Sequence, residues 1–183
     1  MSTDTTTSAI TGTWAIDPTH TTIGFNARHA MIAKVRGSFA EFEGTFVIDG
    51  DNVAASTANL TIQAASISTK NDDRDVHVKS ADFLDVEAFP TLTFVSTSAS
   101  QSGSTFTVTG DLTVHGVTKS VPVAFELVGT STDPWGGNRI GFEGEAEISR
   151  EEFGLTWNAA LETGGVLISD KVKLVLDVEA VKQ

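Results

Sequence analysis

The chain has 183 residues, which predicts one domain large enough to bury a sizeable core, and 40% of its residues are hydrophobic, as in soluble globular proteins. Its 12 Lys and Arg residues against 24 Asp and Glu residues give a net charge of −12, which excludes general binding to nucleic acids and disfavours anionic lipid surfaces. The absence of Cys excludes a disulfide framework, a thiol nucleophile and a thiolate metal site.

The first twelve residues are polar and lack the basic and apolar regions of a secretion signal. We therefore expect a flexible tail at residues 1–12 and a single domain at residues 13–183. No later stretch is long and apolar enough to span a membrane, which predicts a protein without stable membrane insertion. The expected location is the cytoplasm, or the periplasm or cell exterior if a signal was removed ahead of residue 1.

The first third of the chain alternates apolar and polar residues, the pattern of β-strands that bury one face. The alternation predicts strands at residues 13–17, 21–29, 35–48 and 53–62. A change of phase between Phe39 and Phe42 indicates a bulge near residues 40–41, and the DGDN turn of residues 49–52 predicts a hairpin. The strand after this turn carries small side chains on one face, among them Ala58, and these leave space for a ligand or for a neighbouring element.

Residues 71–88 break the alternation and predict a helical insertion. Asn71 is a favourable residue type for a helix N-cap, acidic residues follow it, and Pro90 forbids a longer helix. We predict a short helix near residues 72–79 and a second helical turn near residues 80–87. An insertion of this kind in an otherwise all-β chain is expected to act as a plug or lid on the sheet.

The remainder of the chain returns to alternation. It predicts strands at residues 91–97, 106–114, 121–128, 139–148 and 172–181, with polar connections at residues 98–104, 115–116, 133–138 and 149–154. About eight strands joined by short turns favour an antiparallel sheet that closes into a barrel, an all-β fold whose interior can hold one small ligand. A two-sheet sandwich is the alternative, because both architectures bury one face of each strand.

Several groups of residues resemble the motifs of the YceI-like family, and they occur in the family's order. They are residues 14–20 (WAIDPTH) with Ile23, Phe25, Arg28, His29 and residues 37–39; residues 74–77 (RDVH) with residues 82–85, Phe89 and Pro90; residues 110–113 with residues 116–119; and Ser149 and Arg150 with residues 153–157. Each group alone is a weak signal. Together, in order and over residues 13–181, they identify the chain as similar to this family.

The resemblance implies an eight-stranded, antiparallel, lipocalin-like β-barrel with a short helical insertion near residues 71–88. It also implies a protein that is not an enzyme and that carries or sequesters a long apolar molecule in the barrel, namely a polyisoprenoid, an isoprenoid quinone or a fatty-acid derivative. Such an isoprenoid lipid or quinone is then expected to copurify, with no other cofactor, metal or nucleic acid. Members of this family often pair, so a homodimer is expected as well.

The residues predicted to line the ligand site are mostly aromatic and aliphatic residues on the inward faces of the strands and on the insertion. They are Ile23, Phe25, His29, Phe42, Phe46, Ala58, Leu60, Phe83, Leu84, Leu92, Phe94, Phe106, Leu112, Phe125, Phe142 and Trp157. The candidates for binding a polar head group are Arg28, Arg36, Arg74 and His77. Arg74 is also expected to form an ion pair with Asp75 at the start of the helix. Each buried methylene contributes about 0.8 kcal/mol, so a polar anchor is optional for affinity.

The sequence shows no convincing active site. The four histidines, His20, His29, His77 and His115, lack the spacing of a zinc site, and no G-x-S-x-G motif occurs. Two alternatives to a lipid carrier stay open. One is a barrel filled by its own side chains, which would make the protein a stress-response or interaction module whose acidic surface meets a basic partner. The other is an enzyme that acts on a lipid head group through His77 and Asp75.

Overall fold

One antiparallel β-sheet of eleven strands forms most of the computed structural model, which describes residues 4–162 and 165–183. The strands are β1 (Gly12–Ile16), β2 (Thr22–His29), β3 (Ala33–Phe39), β4 (Phe42–Ile48), β5 (Thr57–Gln63), β6 (Ile67–Ser68), β7 (Thr91–Ser102), β8 (Thr105–Val114), β9 (Val117–Thr132), β10 (Asn138–Ser149) and β11 (Lys171–Lys182). The helices are α1 (Asp4–Ala9) and α2 (Asp72–Lys79), with 3₁₀ turns at Val53–Ala55, Ala64–Ser66 and Glu151–Phe153. In the described ranges, no helix is long and apolar enough to span a membrane.

The sheet closes into a barrel because β11 has partners on both of its edges. One edge pairs with β10, and the other pairs with β2 near Lys173 and with β1 near Lys182. β1 and β2 therefore share one position in the barrel, as do β3 with β4 and β5 with β6, which gives eight positions. The eight-stranded antiparallel barrel is confirmed, and the sandwich alternative is wrong.

Three neighbouring strand positions are interrupted side by side, at residues 17–21, 40–41 and 64–66. The backbone N–H of Ala40 donates to the carbonyl oxygen of Ser66 at 3.2 Å, which joins the second interruption to the third. Pro18 explains the first, because proline has no N–H to donate to a neighbouring strand. At residues 40–41, where a bulge was predicted within one strand, the chain instead breaks into two strands, β3 and β4.

Residues 7–12 help to close one end of the barrel. Ile10 is 2% exposed and shares a buried cluster with Trp14, whose indole Nε1 donates a 3.0 Å hydrogen bond to the Ile10 carbonyl oxygen. A Cβ atom on Gly50 would lie 2.1 Å from the carbonyl oxygen of Thr7, so this segment also packs closely on the turn after β4. The expected flexible tail is wrong here because Ile10 covers the end of the core. Residues 1–3 lie outside the described part of the chain.

The helical insertion lies where it was predicted. The side chain of Asn71 caps α2 by accepting a 3.0 Å hydrogen bond from the backbone N–H of Arg74, and turns follow at residues 81–84 and 86–88. Arg74 and Asp75 do not pair with each other as expected. Instead Arg74 Nε donates to the Thr69 hydroxyl at 2.8 Å, and that hydroxyl donates to Asp75 at 2.6 Å. These bonds fasten α2 to the end of β6, although no residue of α2 itself is buried.

Several connections differ from the sequence prediction. β7 continues to Ser102, so the loop expected at residues 98–104 is reduced to a turn at residues 103–104. The end of β7 pairs with β8 through backbone hydrogen bonds, which require no apolar side chain and therefore leave no hydrophobic pattern. The connection at residues 149–154 was expected to be a polar surface turn, but Arg150 and Phe153 are both buried.

Candidate ligand cavity

A cavity of about 650 Å³ occupies the inside of the barrel. Small-molecule sites in proteins usually measure about 300–1,000 Å³. The lining includes Phe106 and Val114, which lie at opposite ends of β8, so the cavity extends for about 26 Å along that strand at about 3.3 Å per residue. The interior is not filled by side chains, which removes the structural basis of the filled-barrel alternative.

Fifteen of the sixteen residues predicted to line the ligand site border this cavity. The exception is Phe42, which is buried in the same cluster as Ile62 and Ala64. Phe42 has the same inward phase as Phe46, because it pairs with Ile62 as Phe46 pairs with Ala58. The prediction that Phe42 lines the cavity is wrong because its ring is packed within this core cluster instead. Contact between a ligand and the other fifteen residues stays a prediction.

Three of the four head-group candidates border the cavity, namely Arg28, Arg74 and His77. Arg36 is exposed on β3 and does not border it. Val35 faces the cavity, and successive residues of a strand point to opposite faces, so Arg36 points away. The prediction for Arg36 is therefore wrong.

Much of the aliphatic lining was missed because the sequence interpretation favoured aromatic residues. Val121 and Val123 border the cavity and lie in phase with Phe125, so their alternation was a usable signal. Leu155 and Ile168 also border it but belong to irregular chain, which has no period that could have identified them.

Three phenylalanine rings lie against glycines of a neighbouring strand. The pairs are Phe25 with Gly37, Phe94 with Gly110, and Phe125 with Gly144. A Cβ atom on these glycines would lie 2.2, 2.5 and 2.5 Å from a ring carbon, whereas non-bonded carbon atoms prefer about 3.5–4.0 Å. The missing side chains let the rings pack against the wall of the barrel, which leaves the centre of the barrel open.

Aromatic packing closes the end of the cavity nearest to α1. The Phe142 ring makes edge-on contacts with the rings of Phe46, Phe106 and Phe125, with centroid distances of 5.9, 6.0 and 6.3 Å. Trp14 stacks on Phe46 at 6.5 Å. Because this end is packed with rings, the opposite end, where α2 lies, is the better candidate for the mouth of the cavity.

Three rings from two separate segments meet at the mouth. His77 lies on α2, Phe83 follows α2, and Trp157 belongs to the chain between β10 and β11. The ring centroids are 4.6 Å apart for His77 and Trp157, 5.0 Å for His77 and Phe83, and 5.4 Å for Phe83 and Trp157. All three rings border the cavity, so we call residues 72–84 together with Trp157 the lid.

Arg150 holds the Trp157 side of the lid in place. It is 4% exposed, and its guanidinium donates to the carbonyl oxygens of Leu155, Trp157 and Ser169 at 2.6, 2.9 and 2.9 Å. Burial lowers the pKa of Arg150 from its usual value, against the opposing charges of Glu151 and Asp170. Arg150 is therefore a positioning residue, a role that its place in a sequence motif did not reveal.

The two residues of the enzymatic alternative have different partners. His77 Nε2 shares a 2.9 Å hydrogen bond with Asp82, whereas Asp75 accepts hydrogen bonds from the hydroxyl and the backbone N–H of Thr69. The Thr69 hydroxyl is the main reason why the pKa of Asp75 lies below its ordinary value. An acid–base pair of His77 with Asp75 therefore has no support in the geometry.

A cluster of Asp17, His20 and Glu179 brings together residue types that can bind metals. The Nη1 atom of Arg139 donates to Asp17 and Glu179 at 2.8 and 2.9 Å, so a guanidinium already occupies the space between the carboxylates. A hydrogen bond from His20, and then one from Arg139, hold the pKa of Asp17 far below its ordinary value, although burial opposes them. The cluster is an ion-pair network on the barrel wall.

Residues 14–180 match the family model of the YceI-like domain. Protein YceI of Escherichia coli O6:H1 is 39% identical over 178 residues, which covers 96% of this chain and 90% of the relative.

Two solved structures extend the likeness to the fold. BcnA of Burkholderia cenocepacia is similar with a TM-score of 0.79 and 22% identity, covering 90% of this chain and 98% of that protein. A polyisoprenoid binding domain from Saccharophagus degradans is similar with a TM-score of 0.71 and 16% identity, covering 93% of this chain and 98% of that domain. At these identities the two structures establish a shared fold.

Proposed function

Because this chain belongs to the YceI-like family, we propose that it binds one long apolar molecule inside its barrel and carries or sequesters it without changing it chemically. The ligand class is a polyisoprenoid, an isoprenoid quinone or a fatty-acid derivative. The polyisoprenoid-binding domain of Saccharophagus degradans, which has the same fold, supports this class. The observation that carries the proposal is the elongated, almost wholly apolar cavity of about 650 Å³.

The cavity can supply enough binding energy without a polar anchor. Ten buried methylenes contribute roughly 8 kcal/mol, the free energy of a Kd on the order of 1 μM, and further methylenes offset the cost of ordering the chain. Only a few charged side chains border the cavity, and Arg74 is already committed to Thr69. A polar head group would therefore lie at the mouth near His77 and add selectivity more than affinity.

Native mass spectrometry of the purified full chain, followed by organic extraction, tests the proposal. We expect an apolar molecule that copurifies, or binding of a fluorescent acyl or prenyl probe with a Kd near 1 μM. A protein that retains no such molecule and binds neither probe at micromolar concentration would overturn it.

A matched pair of substitutions connects binding to the cavity. Ala58 borders the cavity, so Ala58→Trp should block it and abolish probe binding at little cost in stability. Ala124 is exposed on the outer face of β9, so Ala124→Trp should bind like the wild type. Equal binding by both variants would place the ligand elsewhere.

The remaining expectations also belong to this proposal. An isoprenoid lipid or quinone is the expected occupant, a homodimer is the expected assembly, and the cytoplasm is the expected location. Sedimentation at several protein concentrations measures the assembly. Fractionation of the source cells measures the location.

A further inference from the structure

The turn between β2 and β3 exposes two large apolar side chains. Ile32 is 82% exposed and Met31 is 63% exposed, and Ile32 is the most exposed aliphatic side chain in the described part of the protein. Single exposed apolar residues are common on protein surfaces, but two in succession at a projecting tip are unusual. We call residues 28–36 the hairpin tip.

The backbone of the hairpin tip does not favour these residue types. Ala30 and Met31 have φ angles of 51° and 61°, and the backbone N–H of Ile32 donates to the carbonyl oxygen of His29 at 3.0 Å. His29 pairs with Ala33, so the loop has three residues, and its first two lie in the left-handed region, which Asn and Gly favour. A large apolar residue such as Met31 is therefore disfavoured in this backbone conformation. Backbone strain of this kind is found more often at functional sites than elsewhere in proteins.

The hairpin tip is also positively charged in a strongly acidic chain. Arg28, Lys34 and Arg36 are three of the 12 Lys and Arg residues, and no acidic residue lies between Asp17 and Glu41. Arg28 and Lys34 are directly opposite each other on the two strands, an arrangement that disfavours the hairpin because like charges repel. An anionic surface next to the tip would remove this repulsion.

The hairpin tip borders the mouth of the cavity. Arg28, His29 and Val35 line the cavity, and the backbone N–H of Ala30 donates to the carbonyl oxygen of Leu167 at 2.7 Å. β3 pairs with β6 only at Ser38 and Phe39, so residues 33–37 extend beyond the neighbouring strand. The tip therefore lies at the end of the barrel where a ligand would pass, with its β2 side bonded to residues 167–169 and its β3 side extending beyond β6.

We propose that the hairpin tip docks on the surface of an anionic lipid bilayer. Met31 and Ile32 enter the boundary between head groups and acyl chains, and Arg28, Lys34 and Arg36 lie among the phosphates, which is the composition of interfacial membrane anchors. Asp72 and Asp73 at the start of α2 are repelled by the same surface, so the barrel leans toward its hairpin side. Docking rests on the tip alone and does not require that the cavity holds a ligand.

The local charge explains why the net charge does not exclude this contact. At physiological ionic strength, charges interact over about 8 Å, so the surface senses the tip more than the distant acidic residues. Each cation close to an anionic membrane increases binding by about fivefold, and three cations by on the order of 100-fold. The contact is therefore reversible and salt-dependent, and it agrees with the expected absence of stable insertion.

Vesicle flotation with the full chain tests the proposal. We expect binding to vesicles that contain phosphatidylglycerol, weaker binding to pure phosphatidylcholine, and release at high salt. The variant Ala30→Asn/Met31→Gly/Ile32→Thr should lose binding by at least tenfold while unfolding at the same or a higher temperature, since Asn and Gly favour the left-handed backbone of this loop. Lys34→Gln/Arg36→Gln should lose most of the preference for anionic vesicles.

Trp135→Ser is the matched control, because Trp135 is 88% exposed in the turn between β9 and β10, at the opposite end of the barrel. This variant should float like the wild type. Loss of flotation in Trp135→Ser alone, equal binding to neutral vesicles, or no binding by the wild type at low salt would each overturn the proposal. Met31 and Ile32 do not border the cavity, so copurified ligand in the hairpin variants, measured by native mass spectrometry, separates failure of docking from failure of ligand binding.

Discussion

Replacing two of the wall glycines by alanine should shrink the cavity while the barrel stays folded. In Gly37→Ala/Gly144→Ala, each ring has to move by about 1–1.8 Å to reach an ordinary carbon–carbon contact of about 3.5–4.0 Å. Neither glycine has a positive φ, and the atoms nearest to each new Cβ belong to a ring, whereas a Cβ atom on Gly110 would also lie 2.7 Å from the backbone carbonyl oxygen of Val95. The rings already lie against the wall, so the free space into which they can move is the cavity.

The expected loss of affinity follows from the displaced volume. A phenyl ring that moves by about 1 Å takes up roughly 30 Å³, the share of one water molecule in the liquid and close to that of one methylene. Two rings then remove space for about two methylenes. At about 0.8 kcal/mol each, this loss is about 1.6 kcal/mol, or about 15-fold in Kd for a ligand that fills the cavity. A short ligand that leaves this space unused should bind almost unchanged.

Titration with fluorescent fatty acids of increasing tail length measures this effect. Gly129→Ala is the control, because a Cβ atom on Gly129 meets nothing within 4 Å. The control should match the wild type at every tail length, whereas the double variant should diverge from it as the tail grows. Thermal unfolding shows whether each variant keeps the fold. A double variant that melts like the wild type and binds the longest tail equally well would refute the reasoning.

Three further predictions concern the lid and the barrel wall. Arg150→Met leaves buried carbonyl groups unpaired and should lower the free energy of unfolding by about 3 kcal/mol, measured with urea, with partial recovery in Arg150→Lys. Because the pKa of Asp17 is lower in the folded protein than its ordinary value, Asp17 stabilises the fold above about pH 4, and this contribution is lost in acid. In Asp17→Asn, the free energy of unfolding should therefore fall less steeply as the pH is lowered. An unchanged pH dependence would contradict the ion-pair assignment. Asn71→Ala removes the cap of α2, which costs about 1 kcal/mol, so a bound probe should dissociate about fivefold faster in stopped-flow experiments.

The parts of the fold that were predictable are those in which local pattern and burial agree. Ile23 and Phe25 on β2 alternate with polar neighbours and face the cavity, as their spacing indicated. Asn71 and Pro90 placed the helical insertion because a cap and a missing N–H act on the chain close to them.

The parts that were not predictable depend on contacts between distant residues. Ile10 belongs to the core because the open end of a barrel needs a cover, and nothing near Ile10 in the sequence carries that information. Arg150 was part of a motif, but its role depends on carbonyl groups as far along the chain as Ser169. Phe42 has the inward phase that its spacing indicated, but its packing in the core cluster keeps it out of the cavity lining.

The manner in which α2 is inserted has a consequence for the kinetics of the protein. In the described sheet, β6 pairs with β3 and β7 pairs with β5 and β8, so no ladder of backbone hydrogen bonds links the two chain segments on either side of α2. With no buried residue of its own, this helix belongs to the weakly held regions, whose amide protons exchange long before those of the sheet. For the proposed ligand, this predicts a residence time that is set by one short helix, while the surrounding barrel stays intact.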